Sequence, residues 1–168
     1  SFAVLLSFNK TGRFKGLSQI ISWSVVDEQK HSDAGCSLFR DLITEQGLKP
    51  GEKQAIFQGF DVVLENEKAF IENIFQGRSI NGITAGTLLA YMKQRANERL
   101  QKLGLLKPNE YRYEYNLNQA AEIWTWFDPL VKGMSSHDFF SHLKNGDAYI
   151  AKPTFNFSGI NMNKIYEE

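Results

Sequence analysis

One cysteine, Cys36, stands in the whole 168-residue chain, and there are only four prolines. A single thiol excludes an internal disulfide framework and suits a reducing, cytoplasmic compartment. Charge of one sign is also missing: 19 Lys and Arg balance 19 Asp and Glu. A nucleic-acid binder would carry a basic excess, so none is expected here. No apolar run approaches the roughly 18–20 residues that a membrane span needs. There is no Gly-x-x-x-x-Gly-Lys phosphate loop and no Gly-x-Ser-x-Gly elbow; Gly77-Arg78-Ser79 and Gly82 only punctuate a turn. What is present is 42% hydrophobic residues, too many for a disordered chain and enough for one sizeable core.

The first residues, Ser1 to Phe8, are apolar from the outset and lack the basic flank of a secretory signal. A terminus is normally polar unless tied down, so this octamer reads as the tail of a buried helix belonging to something longer. Four helical stretches follow from periodicity and punctuation. The first ends at Lys10-Thr11-Gly12-Arg13. The second runs from about Leu17 to Gln46 and stops at Gly47, with Pro50-Gly51 beyond. The third spans about Glu52 to Phe75, before Gly77. The fourth runs from Thr84, a plausible N-cap, to Leu103, with Gly104 as its stop. After Pro108 the periodicity breaks, and Tyr111 to Tyr115 alternates like a short strand or an extended loop. From Gly133 the chain is rich in Gly, Ser, Asn and Asp. The class is all-α with a less regular C-terminal fifth.

On the second helix, a rotation of about 100° per residue from Asp27 puts His31 near 40° and Glu28 near 100°. Ile20, Ile21, Trp23, Ala34, Leu38, Phe39 and Leu42 share that arc. Ser22, Gln29, Lys30, Asp33, Ser37, Arg40 and Asp41 lie opposite. The apolar arc is expected to face the core and the polar side to face water. Two carboxylates and an imidazole on a core-facing stripe must then be paired or hold something, because unpartnered buried charge costs several kcal/mol. Glu28 and His31 are spaced i, i+3, so both reach one object, and their oxygen and nitrogen donors suit iron, manganese or zinc. Asp27, four residues before His31, is placed to orient a ligating histidine, on this turn or on a facing helix. One Glu-x-x-His cannot complete a helix-bundle di-metal site, which takes two such pairs and two further Glu residues.

Val26-Asp27-Glu28-Gln29-Lys30-His31, preceded by Gly16-Leu17-Ser18-Gln19-Ile20-Ile21, resembles the second metal-binding helix of the small, radical-generating subunit of class I ribonucleotide reductase. That family shows Arg-Asp-Glu-x-x-His, and Val26 stands where its Arg usually does. The likeness continues in order through Val63 to Phe70, Tyr91 to Gly104, Trp126-Phe127-Asp128 and His137-Asp138-Phe139-Phe140. It covers the C-terminal half of the family's protein. The resemblance implies a ferritin-like helical bundle over residues 1–132 and a tail at 133–168 that docks to the large subunit. It implies Glu28 and His31 as ligands of one metal of a di-iron or dimanganese centre. Asp27 would lie in the hydrogen-bonded radical-transfer route, and Tyr149 in the tail would relay the radical; Tyr166 is nearer the end than the pattern suggests. The implied partners are the N-terminal half of the small subunit, on the same or a separate chain, the large subunit, and a second copy in a homodimer. The chain's own tail, Pro153 to Phe157 and then Lys164 to Glu168, departs from the acidic ending common in the family.

Other residues carry plainer readings. Phe2 and Ser24 adjoin the implied pocket, and a Phe at a helix tail otherwise serves as core. Cys36 reads as a small buried hydrophobe. His137 and His142 lack a second ligand at useful spacing and read as surface histidines. Trp23 reads as core, and Trp124 and Trp126 as anchors of the last segment. Lys93, Arg95, Arg99 and Lys102 form a basic face expected to be solvated, with Glu98 pairing to Lys102. Two rival functions remain at this level: a ferritin-like di-metal oxidase uncoupled from a reductase, and a non-catalytic helical protein in which Glu28 and His31 are a buried pair.

Overall fold

A computed structural model describes residues 2–134. Five helices make it up: α1 (Phe2–Lys10), α2 (Lys15–Gln46), α3 (Glu52–Phe75), α4 (Ala85–Lys102) and α5 (Leu117–Met134). The first four fall where their punctuation places them. Gly47, at a φ of 71°, donates its N–H to the Ile43 carbonyl and closes α2. Glu52 begins α3 and accepts from the Lys49 N–H at 2.7 Å, satisfying a donor just ahead of the helix. Thr84 caps α4 through a reciprocal pair: its hydroxyl accepts from the Thr87 N–H at 3.1 Å, and Thr87 Oγ1 accepts from the Thr84 N–H at 2.9 Å. At the other end Gly104 takes a φ of 77°, and the Leu105 N–H returns to the Leu100 carbonyl at 3.0 Å.

The fifth helix corrects the sequence expectation, which stopped at four. Ala120, Ile123, Phe127 and Val131 follow helical spacing and are all buried. Pro129 masked the pattern, since a proline inside a helix removes one N–H and normally reads as a stop. Asn116 opens this helix, its side-chain oxygen accepting from the Gln119 N–H at 3.1 Å. Tyr111 to Tyr115 forms no strand; it is extended loop between α4 and α5. Among the described residues the sole β pairing is an isolated bridge of Ile80 with Ile83 across the Asn81-Gly82 turn. Both turn residues have positive φ, 50° and 83°, which Asn and Gly tolerate best.

α4 is the hub: it packs on α5, α3 and α2, while α2 also packs on α1 and α5. One core cluster joins Ala3 and Leu6 of α1, Ile21 and Val25 of α2, Ile71 and Phe75 of α3, Leu88 and Tyr91 of α4, and Ile123 and Phe127 of α5. A second gathers Leu100, Leu105 and Leu106 at the far end of α4, with Phe39, Phe57 and Phe60 packed against it. The all-α class is as expected, and it is consistent with part of a ferritin-like bundle. No helix among the described residues is long and apolar enough to cross a membrane.

Candidate metal centre

Helix α2 is roughly 48 Å long at 1.5 Å per residue, and Asp27, Glu28 and His31 sit near its middle. The structure places all three on the outside of the described fold. The His31 and Asp27 side chains are 69% and 65% exposed, with His31 Nε2 3.7 Å from Asp27 Oδ2. That separation is beyond a hydrogen bond but within an ion pair's range once the ring is protonated.

Of the apolar arc, Ile21 is buried in the core and Phe39 packs on the second cluster, while the part nearest Glu28 and His31 is open. Leu17, Ile20, Leu38 and Leu42 are exposed, Ile20 at 57% and Leu38 at 62%. The polar side, expected in water, is instead the side that docks. Ser18, Ser22 and Cys36 are buried there, and Gln29 and Asp33 are half-buried against α4. The physical reason is simple. Periodicity finds an apolar stripe but does not say which element covers it, and within this chain α4 offers cations to the polar side of α2.

Those cations are Arg95, Arg99 and Lys102 of α4's basic face; the two arginines are half-buried in this contact rather than solvated, while Lys93 is exposed as expected. Asp33 accepts from Arg99 Nη1 at 2.5 Å and from Lys102 Nζ at 2.7 Å. Gln29 donates to Asp33 at 2.9 Å and accepts from Arg95 Nη2 at 3.0 Å. Arg95 also pairs with Glu98 at 2.6 Å and lies 3.7 Å from Asp128 of α5. Glu98 thus serves Arg95 rather than Lys102. Partial burial pushes the Asp33 carboxyl up, but hydrogen bonds from Lys102, Gln29 and Arg99 outweigh it and hold Asp33 well below the usual carboxylate range.

Tyr91, on the same face of α4 one turn before Arg95, donates to Asp128 Oδ1 at 2.8 Å. Burial is the main cause that drives its hydroxyl far above the usual tyrosine range, and the positive Arg95 opposes this only in part. These polar residues were missed as a group at the sequence level. Their signal was available: Arg95, Arg99 and Lys102 recur at four- and three-residue intervals, facing a Gln29/Asp33 pair spaced i, i+4.

The turn's donors suit a metal, and two observations bear on the fit. Glu28 makes no hydrogen bond or ion pair among the described residues, so its carboxylate is uncommitted. His31 has Nε2 toward Asp27, which leaves Nδ1 unengaged. A free carboxylate and a free imidazole nitrogen at i, i+3 fit part of a coordination sphere. Among the described residues no group of three or more His, Cys, Asp or Glu side chains is gathered closely enough to hold an ion. Of the remaining candidates, Phe2 is exposed, and Ser24 donates to the Ile20 carbonyl at 3.3 Å. Cys36 is buried as expected, and Trp23 is half-buried. Trp126 donates to the Glu122 carbonyl at 3.0 Å and carries Lys10 over its ring. Tyr149, His137, His142 and Tyr166 lie outside the described residues.

Comparison with known families settles the kinship. The model of the ribonucleotide reductase small chain matches residues 1–116, which include all of α1 to α4 and the Asp27–His31 turn. The chain belongs to the ribonucleotide reductase small chain family. A similar protein is the probable ribonucleoside-diphosphate reductase small subunit 048L of Invertebrate iridescent virus 3. It is 31% identical over 145 residues, covering 84% of this chain and 36% of the relative. Another is the probable small subunit 376L of Invertebrate iridescent virus 6, 29% identical over 127 residues, covering 62% of this chain and 35% of the relative. The chain therefore spans about a third of the length of these curated relatives. No solved structure matches it.

Proposed function

We propose that this chain contributes the Glu28 and His31 ligands of a di-iron or dimanganese centre in a ribonucleotide reductase small subunit. The observation that carries the reading is the open face of α2. An uncommitted carboxylate and a free imidazole nitrogen sit inside an uncovered apolar stripe, in a chain of this family. Apolar surface of that kind on one helix marks an interface. The remaining segments of the small subunit, on the same or a separate polypeptide, would cover Ile20, Leu38 and Leu42 and add the missing ligands.

When bound, the metal pair supplies the oxidising chemistry from which a radical is generated for ribonucleotide reduction in the large subunit. Glu28 and His31 hold one metal in this reading. Asp27, whose Oδ2 lies 3.7 Å from His31 Nε2, stands beside the imidazole edge and leaves Nδ1 available for a metal. The apolar residues around them exclude water once covered. Residues 133–168 form the segment that docks to the large subunit in this reading, with Tyr149 as the radical relay. A homodimer and a cytoplasmic location belong to the same reading.

Native mass spectrometry of the protein purified from its source tests it. Two Fe or Mn per assembled bundle, lost on Glu28→Ala, is the expected result. An assembly that never takes up metal would overturn the assignment. Replacing Tyr149 with Phe should abolish turnover and leave metal content intact; surviving turnover would remove Tyr149 from the route.

A further inference from the structure

The two sides of one turn of α2 do different things. On one side lie Glu28 and His31. About half a rotation away lie Gln29 and Asp33, and these are the polar groups through which this stretch of α2 touches α4. The contacts are spaced along the helix axis: Gln29 meets Arg95, and Asp33, one turn later, meets Arg99 and Lys102. Two contacts at different heights set both rotation and axial position, whereas an apolar contact alone would allow a helix to roll. The Gln29–Asp33 hydrogen bond, 2.9 Å, joins the two into one unit. Arg95 continues it toward Asp128, so α5 braces the same point.

Energy does not explain this arrangement well. Asp33 is substantially exposed, and ion pairs of that exposure add little to stability. Their geometric effect is larger, because both oxygens of the Asp33 carboxylate are held: Oδ1 accepts from Arg99 Nη1 and Lys102 Nζ, and Oδ2 from Gln29 Nε2. We propose that Gln29 and Asp33, gripped by Arg95, Arg99 and Lys102, are positioning residues that fix the rotation and register of α2 so that Glu28 and His31 are presented together to a metal. This deepens the metal-ligand reading and rests on it.

The test uses the complete protein that carries this chain, titrated with Co(II) as a spectroscopic probe. Asp33→Asn and Arg99→Gln are compared singly and together with Asp61→Asn. Asp61 is the control because it forms an equally short ion pair, 2.6 Å to Arg112, with similar exposure but on α3. Asp33→Asn is expected to weaken Co(II) binding about tenfold and to alter the visible ligand-field spectrum, the scale seen when outer partners of metal ligands are removed. Asp61→Asn should change neither. The Asp33→Asn/Arg99→Gln double variant should be no worse than Asp33→Asn alone, since the Arg99 contact is among those that Asp33→Asn already weakens. Metal-free amide exchange supplies a second readout: residues 27–33 should exchange faster in Asp33→Asn and be unchanged in Asp61→Asn. If Asp33→Asn does not fold, Arg99→Lys keeps the charge, loses the planar guanidinium that reaches Asp33 Oδ1, and should move both readouts in the same direction.

Wild-type affinity and spectrum in Asp33→Asn, or equal losses in Asp33→Asn and Asp61→Asn, would overturn the positioning role. If the unaltered protein binds Co(II), Glu28→Ala abolishes it and Asp33→Asn does not, the inference falls and the metal reading stands. If the unaltered protein binds none, both fall.

Discussion

Tyr91 of α4 donates its hydroxyl to the Asp128 carboxylate of α5 at 2.8 Å, and the same carboxylate lies 3.7 Å from Arg95, which in turn holds Gln29 of α2. One buried tyrosine thus begins a polar chain that touches three helices. Its ring packs edge-on to Phe127, at 5.9 Å between centroids, so the hydroxyl is aimed by an apolar contact and used in a polar one.

Tyr91→Phe keeps the ring and removes the donor. Hydrogen bonds to a charged group contribute about 1.5–3 kcal/mol, so a loss of about 2 kcal/mol is expected in urea unfolding. The pH dependence has a fixed sign. Burial raises the folded hydroxyl's pKa, so above the ordinary value near 10 the unfolded chain releases a proton that the folded chain keeps. Stability from this group is therefore complete below about pH 10 and declines as pH rises further. The Phe variant should show a shallower alkaline decline than the parent, measured as unfolding free energy between about pH 9 and 11. An identical slope in both proteins would remove Tyr91 from the account.

Asn97 is the comparable device at the other end of α4. It is 1% exposed, and its side chain replaces a strand partner for the loop beyond the helix. Its Oδ1 accepts from the Arg112 and Tyr113 N–H groups at 2.9 and 3.0 Å, and its Nδ2 donates to the Tyr113 carbonyl at 2.8 Å. Asn97→Leu would strand two backbone donors and one acceptor, each costing on the order of 1–3 kcal/mol where water cannot reach. A loss of at least about 3 kcal/mol is expected, with limited proteolysis now cutting within residues 107–116. Cleavage elsewhere, or a near-neutral effect, would show that the loop is held by the Arg112–Asp61 pair and Tyr113 instead.

Much of this was legible from residue types. Gly47, Gly77 and Gly104, together with Thr84, mark helix ends because each supplies a positive φ or a cap that few other residues supply as well. α5 was not legible, since Pro129 carries the same local signal inside a helix as beyond one. The Asp27–Glu28–His31 turn was found by spacing and resemblance, but its exposure was not. A wheel drawn on α2 assigns its apolar arc to the interior by default, and only the tertiary contacts show that Gln29 and Asp33 face α4 while Ile20 and Leu38 do not. The partners across a polar contact, Arg95 and Arg99, lie 66 residues away from Gln29 and Asp33, beyond the reach of any local pattern.

The uncovered arc of α2 makes the last prediction. Leu17, Ile20, Leu38 and Leu42 form an apolar stripe on a helix whose other side is already docked. Each fully buried Leu or Ile side chain gains about 1.5–3 kcal/mol, so covering two of them is enough to decide whether a partner segment binds. Leu38→Lys and Ile20→Lys should leave the helical circular dichroism and the unfolding midpoint of the isolated chain within experimental error, because neither residue packs in its core. The same substitutions should cut association with the complementary small-subunit segments by at least about tenfold for each residue, measured by native mass spectrometry or analytical ultracentrifugation. They should also reduce binding of a hydrophobic dye to the isolated chain. Val62→Lys on α3 is the control: it too alters an exposed apolar side chain, but on another helix. Loss of association in Val62→Lys with retention in Leu38→Lys would move the interface to α3, and the open turn of Glu28 and His31 would then need another cover.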